Sequence, residues 1–431
     1  MCAEKITTSD IKSAEKLLGI TYSKSEREQM VQNLEGQILS AKLRRGIELD
    51  NTTPMASKFD PRLPGFQMPS RSDIKLQKRD IKLPKNKEDI AFASIGEQGK
   101  WIKDGLLTSR KLTEIYLERI ESFESKLECF ATVTKDQALA EADAMDLLTS
   151  AKINLGPLHG IPYGLKDLFD TKGVRTGWGA EPYQHRVPVE DAEIVKRLRA
   201  AGAVILGKTT LGALAYNDIW YGGRTKNPWN LNEGSSGSSA GSASATAAAL
   251  CSFAIGTETL GSITSPSQRC GTTGLRPTFG RVSRQGGMAL CWSLDKIGPI
   301  CRSVEDTGIV LSTLNGYDEN DLSSIRAPFN FDTSKNIKDL VIGYLPEAFE
   351  DGATEVDRAA LKVAMSLGAK VKEVKLEDLP YMSLINILYA EAAAAFEHLT
   401  LSDEDDTLTW QDDGAWPNTF RKARFLSAVD H

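Results

Sequence analysis

Serine is the residue type in this sequence that is best placed to act as a nucleophile. The stretch GSSGSSAGSASATAAAL, residues 234–250, has the composition of a flexible Gly/Ser linker. A linker, however, lacks apolar residues and separates two independent units. Here the alanines are good helix formers, and the strand-like SFAIGTE follows them directly. We therefore expect residues 234–241 to form a tight loop that opens a buried helix. Its backbone N–H groups and hydroxyls would suit an anion or developing negative charge.

A serine nucleophile needs a base, and histidine is poorly placed to supply one. Residues 237–241, GSSAG, match the G-x-S-x-G nucleophile elbow, but that elbow requires a strand immediately before the serine. The preceding NPWNLNEG is polar and contains Pro228. The Ser-His-Asp mechanism also requires a later histidine, and only His398 and His431 lie downstream. We therefore disfavour this mechanism, and a phosphate-binding loop as well, because no G-x-x-x-x-G-K-[ST] occurs.

Lysine is the usual alternative base, and Lys166 is the candidate. It follows the apolar run GIPYGL, which would bury the stem of its side chain. A free lysine has a pKa near ~10.4, so a neutral amine at physiological pH requires that pKa to fall by roughly 3, or about 4 kcal/mol. Burial in a serine-lined pocket would achieve this. On spacing alone, a surface lysine paired with Asp167 is the simpler interpretation.

The elements that must position these residues alternate between helix and strand from about residue 90. An amphipathic helix capped by Thr108 precedes the strand CFATVT, and a helix over residues 136–148 follows. A helix that ends at Gly202 lies between the strands IPYGLK and AVILGKT, and the strands SFAIGTE, LVIGYLP and KVKEVKL continue the series. This alternation predicts one α/β domain over residues 90–431, with helices packed on a central sheet.

The first ninety residues follow a different pattern. Helices are expected over residues 9–18 and from a capping box of Ser25 and Glu28, so residues 1–50 are predicted as a short helical N-terminal extension. Residues 51–89 alternate prolines with Lys and Arg, which is typical of an extended connector. A solvated arm on the surface explains those basic side chains better than a binding role.

Composition excludes several function classes. The net charge of −6 provides no global basic field, so a nucleic-acid partner is not expected. The six cysteines form no CxxC pair and the four histidines are scattered, which favours a reducing cytoplasm and no metal site. The N-terminus lacks a signal peptide, and the longest apolar run, residues 245–255, is too short to insert into a membrane. The acidic stretch SDEDDTLTWQDDG is predicted as a solvated loop; the alternative is that it borders the substrate entrance.

Three separated motifs, in the right order, resemble those of the amidase signature family. GPLHGIPYGLKDLFDTKG is similar to the family's lysine segment, and GSSGSSAGSASA to its Gly/Ser loop. AIGTETLGSITSPSQRCGTTGLRPTFGRVSRQG is similar to the segment that holds its nucleophile. The resemblance covers about residues 95–345 and implies a single large α/β domain with a mixed, mostly parallel central sheet covered by helices. The chain ends at RFLSAVDH, earlier than most members, so we expect a truncated C-terminal end of that domain.

The resemblance also implies a Ser-cis-Ser-Lys triad. Ser262 in TLGSI is the nucleophile, Ser238 in GSSAG is the bridging serine in a cis peptide, and Lys166 in GLKD is the base. Neutral Lys166 would take the proton of Ser238, and Ser238 that of Ser262, whose Oγ attacks the amide carbonyl. The tetrahedral oxyanion would be bound by four backbone N–H groups, those of Thr259, Leu260, Gly261 and Ser262.

The sequence departs from the family pattern around the nucleophile. The usual GGSIR is here LGSIT, with Leu260 for Gly and Thr264 for Arg, and Glu258 stands where Asp is usual. Leu260 is expected to crowd the oxyanion loop, because it excludes conformations that are open only to glycine. Arg269 is a candidate to take over the role of the missing arginine, and Ser239 and Thr264 are candidate supporting residues.

Three functions are compatible with these features. The first is an amidase that hydrolyses a small-molecule carboxamide without a cofactor. The second is the A subunit of a tRNA-dependent amidotransferase, which hydrolyses glutamine and passes ammonia to a partner; the long N-terminal extension disfavours it. The third is a catalytically silent protein that keeps the fold, which the retained triad disfavours. We predict the amidase, and a homodimer is compatible with the sequence.

Overall fold

The structure is a computed structural model that describes residues 5–47, 60, 62–76, 81–350, 352–429 and 431. The helices are α1 (Thr8–Leu18), α2 (Lys24–Arg45), α3 (Lys87–Phe92), α4 (Ile95–Lys103), α5 (Ser109–Leu127), α6 (Lys135–Ser150), α7 (Glu193–Ala200), α8 (Ala240–Ala247), α9 (Thr264–Cys270), α10 (Val304–Leu314), α11 (Pro346–Glu350), α12 (Glu355–Ser366), α13 (Ile385–Ala395), α14 (Glu397–Leu401) and α15 (Trp416–Ala423).

The strands are short, and most of those around the candidate site are buried. They are β1 (Asp73–Lys75), β2 (Phe130–Val133), β3 (Pro162–Lys166), β4 (Val204–Thr209), β5 (Ile219–Trp220), β6 (Gly223–Arg224), β7 (Lys226–Asn227), β8 (Asn230–Gly234), β9 (Phe253–Glu258), β10 (Thr273–Gly274), β11 (Lys296–Cys301), β12 (Asn330–Asp332), β13 (Val341–Tyr344) and β14 (Lys370–Glu373).

The chain forms two compact units. The first unit comprises Met1–Gln67, Ile81–Ala327 and Ile385–His431, and the second comprises Met68–Asp80 and Pro328–Leu384. The predicted connector lies partly outside the described residues, which omit 51–59, 61 and 77–80. Its described part contains the strand β1.

A six-stranded sheet, in the order β10-β11-β9-β3-β4-β2, forms the centre of the first unit. The pairs β9–β3 and β3–β4 are parallel, and the other three are antiparallel. Strands β10, β9, β3 and β4 therefore run in one direction while β11 and β2 oppose them, which confirms a mixed sheet. Every residue of β3 and β4 is buried, as is typical of strands covered on both faces.

The serine-rich stretch forms a loop and the buried helix α8, not a linker. All but the last residue of α8 are buried. Its small side chains allow close packing: a Cβ on Gly241 would lie 2.2 Å from the backbone oxygen of Cys129 and 2.4 Å from the amide nitrogen of Thr210. Only glycine permits this approach of the helix to the neighbouring backbone.

Two helix N-termini were predicted from capping residues, and the structure confirms one of them. Thr108 caps α5 as predicted, because its hydroxyl accepts from the amide of Lys111 at 3.0 Å. The predicted box of Ser25 and Glu28 is wrong. The box lies two residues earlier, where the amide of Ser23 donates to Glu26 at 2.6 Å and the amide of Glu26 to Ser23 Oγ at 3.3 Å. Both residue pairs have the same spacing, so the motif alone could not distinguish them.

The second unit holds the strands that the sequence assigned to the central sheet. LVIGYLP and KVKEVKL supply β13 and β14, which form a separate parallel pair, and β1 pairs with β12. Alternate residues of β13 are exposed, so this strand lacks the buried character of β3 and β4. In the first unit, the acidic stretch near the C-terminus contains a buried residue, Asp405, which pairs with Arg421 at 3.0 Å. Most of the stretch is nevertheless exposed, as expected of a solvated loop, and Asp405 and Leu408 are its buried residues.

Candidate active site

Three segments bring the predicted residues together at one edge of the central sheet. Lys166 is the last residue of β3, and Ser262 lies in the turn between β9 and α9. Because β3 and β9 are parallel neighbours, their carboxyl ends meet at this edge. Ser238 lies in the loop before α8, which packs against β9. The site is therefore built where parallel strands end, a common position for α/β sites.

The side chain of Lys166 is fully buried and points at hydroxyl groups. Its Nζ lies 2.8 Å from Ser238 Oγ, 3.0 Å from Ser239 Oγ and 2.8 Å from Thr257 Oγ1. Burial holds the pKa of the amine well below its ordinary value, and the nearby carboxylate of Asp295 opposes this only in part. The alternative of a surface lysine paired with the next residue in sequence is thereby excluded.

Asp167 pairs with a different lysine. Its Oδ1 lies 3.4 Å from Lys208 Nζ, both side chains are buried, and Oδ2 accepts from the amide of Gly177 at 2.9 Å. Lys208 Nζ also donates to Thr176 Oγ1 at 2.6 Å and to the backbone oxygen of Phe169 at 2.7 Å. Burial raises the pKa of Asp167 and lowers that of Lys208. This buried ion pair supports the turn directly after Lys166.

Breaking that pair is expected to destabilise the fold. Asp167→Ala leaves the Lys208 amine buried without its counter-ion, which costs about 3–5 kcal/mol of the free energy of unfolding. Urea denaturation followed by circular dichroism measures it. The matched control is Glu118→Ala, which breaks the exposed pair with Lys87 and is expected to change stability by less than about 1 kcal/mol. Equal effects of the two substitutions would show that the buried pair does not stabilise the fold.

The loop that carries Ser238 makes a close backbone approach. The peptide bond between Gly237 and Ser238 is cis. A Cβ on Gly237 would lie 1.8 Å from the backbone oxygen of Asn217, so no other residue fits at this position. Ser239 ties the loop to its neighbours, because its amide donates to the backbone oxygen of Ser262 at 3.1 Å and its Oγ accepts from the amide of Thr257 at 3.1 Å.

Ser262 is largely buried, with 9% of its surface exposed. Within the described part of the chain, its Oγ makes no hydrogen bond, so the predicted link between the two serine hydroxyls is not formed as a hydrogen bond. Hydrogen bonds of catalytic groups are often loose without substrate and tighten on binding.

The turn around Ser262 is held by Glu258. Its Oε2 accepts from the amides of Ile263 and Thr264, each at 2.9 Å, and from Thr264 Oγ1 at 3.2 Å. Arg276 approaches Oε1 at 3.4 Å. Burial opposes ionisation of Glu258, but the amides of Thr264 and Ile263, with Arg276, outweigh it and hold the pKa below its ordinary value. The glutamate therefore acts as a charged acceptor that shapes the turn.

Two expectations about the departures from the family pattern are corrected here. Leu260 does not crowd the turn: its side chain is 63% exposed, and the left-handed conformation falls on Gly261, with φ +84°. Arg269 contacts Glu233 at 3.4 Å and, among the described residues, makes no ion pair with Glu258. The arginine that reaches the turn is Arg276, which a motif comparison did not single out because it stands outside the GGSIR segment.

A mainly apolar cavity borders the site at Thr257 and Thr259. Its remaining lining consists of Leu168, Phe169, Ala215, Arg284, Gly287, Met288, Ala289, Leu290, Asp295 and Ile297. Arg284 is engaged by the backbone oxygen of Trp292 and by Ser323 Oγ, at 2.7 Å for the latter. Asp295 accepts three hydrogen bonds from the protein. Both charged groups of the cavity are therefore already bound to protein partners.

A metal ion and a membrane each make specific demands on the described residues. Among them, no cluster of three His, Cys, Asp or Glu side chains is arranged to hold a metal ion. None of the described helices combines the length and the hydropathy that crossing a membrane requires.

With this geometry, the chain belongs to the Amidase family, whose model matches residues 111–430. It is 40% identical over 322 residues to the A subunit of glutamyl-tRNA(Gln) amidotransferase from Chromohalobacter salexigens, covering 72% of this chain and 65% of that relative. The chain thus spans less than two thirds of that relative's length. The structure resembles the peptide amidase of Stenotrophomonas maltophilia, with a TM-score of 0.68 and 28% identity over 79% of this chain and 76% of that one. A protein complex related to the origins of an s-triazine catabolic enzyme gives a TM-score of 0.72 and 31% identity, over 78% and 75% of the two chains.

Proposed function

We propose that the protein is an amidase that hydrolyses the C–N bond of a carboxamide through an acyl-enzyme on Ser262. The observation that carries this proposal is the buried Lys166 amine, which lies 2.8 Å from Ser238 Oγ at the sheet edge that also holds Ser262. Burial lowers the pKa of the Lys166 amine and so favours the neutral form that can accept a proton from the neighbouring hydroxyl.

The proposed mechanism needs only groups of this chain. Neutral Lys166 accepts the proton of Ser238 Oγ, Ser238 accepts that of Ser262, and Ser262 Oγ attacks the carbonyl carbon. Of the four predicted donors, the amide of Gly261 is hydrogen-bonded to Glu258, and that of Thr259 stays a prediction. The amides of Leu260 and Ser262 donate to no described residue and are available for the oxyanion, where each good donor is worth about 2.7–4 kcal/mol. The proton returns through Ser238 to the leaving nitrogen, and water then hydrolyses the ester.

The cavity beside Thr257 and Thr259 favours an uncharged acyl group. Its lining is mainly apolar, but it encloses only about 20 Å³, roughly the space of one water molecule, so an aliphatic or aryl group enters only if the lining moves. Glutamine would bring an α-amino and an α-carboxylate group, each of which needs a partner when buried. Arg284 and Asp295 are already engaged by the protein, so we propose an aliphatic or aryl amide as the substrate.

A second candidate is the glutamine-hydrolysing A subunit of a tRNA-dependent amidotransferase, which the 40% identity to a protein of that name supports. The two functions are separated by turnover of the purified chain on butyramide, benzamide, 4-nitroacetanilide and L-glutamine. The amidase proposal predicts hydrolysis of at least one of the first three without any partner. Hydrolysis of glutamine alone, and only with a partner protein present, would establish the second candidate. No turnover of any of the four amides, with or without a partner protein, would favour the catalytically silent protein.

The pH dependence follows from the sign of the Lys166 shift. The base acts when neutral, so activity is lost as the pH falls through the pKa of Lys166. Because burial lowers that pKa well below 10.5, activity is expected to persist to pH values far below 10.5. A pH profile of kcat/KM tests this expectation. An acidic limb near pH 10.5 would mean that the amine is not desolvated when it acts.

The compartment we propose is a reducing one, the cytoplasm. Five cysteines of the described chain are free and buried, which fits a compartment that keeps thiols reduced.

A further inference from the structure

The two candidate oxyanion donors, the amides of Ser262 and Leu260, are oriented by different hydrogen bonds. A trans peptide unit points its C=O and its N–H in opposite directions, so whatever binds the carbonyl of one residue also orients the amide of the next. The amide of Ser262 shares its unit with the carbonyl of Gly261, which accepts from the amide of Ser265 at 2.7 Å. Ser265 lies in the first turn of α9. This donor is therefore oriented locally, by the helix that follows it.

The amide of Leu260 has no such local support. Its unit contains the carbonyl of Thr259, which accepts from Lys296 Nζ at 3.1 Å. Lys296 is the first residue of β11 and stands opposite Glu258 in the antiparallel ladder. The ammonium group thus holds the peptide plane from the neighbouring strand and directs the Leu260 N–H to the opposite side.

Asp295 fixes the same residue through its side chain. Thr259 Oγ1 donates to Asp295 Oδ1 at 2.5 Å. The other oxygen, Oδ2, accepts from the amides of Leu290 and Cys291 at 2.9 and 3.0 Å. The carboxylate therefore connects Thr259 to the wall of the cavity, and Thr259 is held at both its carbonyl and its hydroxyl by two adjacent residues.

We propose that Asp295 and Lys296 are positioning residues of the oxyanion hole, which orient the Leu260 amide for the developing charge. The inference rests on the proposed amide hydrolysis at Ser262. A donor of this kind is used mainly in the transition state, so losing its orientation lowers the rate of the chemical step more than it weakens binding of the ground state.

The rate at which a fluorophosphonate labels Ser262 tests this proposal without knowledge of the natural substrate. Ser262 Oγ gives its proton to Ser238, whose own proton passes to Lys166, and forms a bond to phosphorus as fluoride leaves; the phosphoryl oxygen occupies the oxyanion hole. Lys296→Met is expected to lower kinact by roughly 10–100-fold with KI changed by less than about twofold, since one complete oxyanion donor accounts for 10²–10³. Lys296→Arg keeps the donors and is expected to recover most of the rate. The control Lys103→Met changes an exposed lysine of α4 and should label at the wild-type rate.

Asp295→Asn gives an independent second variant with nearly unchanged side-chain volume, used if Lys296→Met fails to fold. It is expected to show the same fall in kinact at constant KI. The inference is overturned if the folded variants label at the wild-type rate, or if kinact and KI change together. It is also overturned if Lys296→Arg is as slow as Lys296→Met. If the wild-type protein itself is not labelled at Ser262, the proposed function fails instead, so the two failures are distinguishable.

Discussion

Lys166→Met is expected to lower amide turnover by roughly 10²–10⁴-fold, the contribution of a positioned general base. Methionine fills a similar volume but cannot accept a proton. The stability of the protein should be unchanged or increased, because the variant removes an amine that is buried among three hydroxyls. The measurements are kcat and KM on the amide that the wild type hydrolyses, together with urea denaturation of both proteins.

A matched control comes from the other fully buried lysine near the site, Lys208, whose Nζ contacts Asp167 and backbone rather than a serine. Lys208→Met should reduce stability, since it leaves a buried carboxylate unpaired, while folded molecules keep far more turnover than Lys166→Met. If Lys166→Met retained turnover within about tenfold of wild type, below the contribution expected of a general base, the base would have to be another group.

Ser262→Ala is expected to have the second large effect, a loss on the order of 10³-fold or more in kcat, because the bond-forming oxygen is removed. KM should change little, since the Ser262 hydroxyl acts in the bond-forming step. Ser236→Ala is the control within the same region: its Oγ contacts Ser265 Oγ at 2.8 Å and not Lys166. Comparable losses in both variants would indicate damage to the loop rather than loss of a nucleophile.

The sequence predicted the elements around the site well because their signals are local. Continuous apolar runs predicted β3 and β4, and the capping residue Thr108 predicted the start of α5. The run of small residues predicted the buried helix α8. The family motifs singled out Lys166, Ser238 and Ser262, which lie at the same edge of the sheet in the structure. Each of these features depends on a few consecutive residues, so no knowledge of long-range contacts was needed.

What the sequence could not supply depends on residues that are distant along the chain. The partner of Asp167 is Lys208, from the neighbouring strand, and the arginine at Glu258 is Arg276 rather than Arg269. The contact of Lys296 with the carbonyl of Thr259 joins two strands of the sheet. The second unit likewise combines residues 68–80 with residues 328–384, and no change in amino-acid composition along the chain indicates this division.

The central claim is that amide hydrolysis passes through an acyl group on Ser262. Rapid acid quench of the protein with 4-nitroacetanilide, followed by proteolysis and mass spectrometry, tests it directly. We expect an acetyl group on Ser262 in the wild-type protein and none in Ser262→Ala. Turnover without acetylation of Ser262, or with the acetyl group on another residue, would contradict the account.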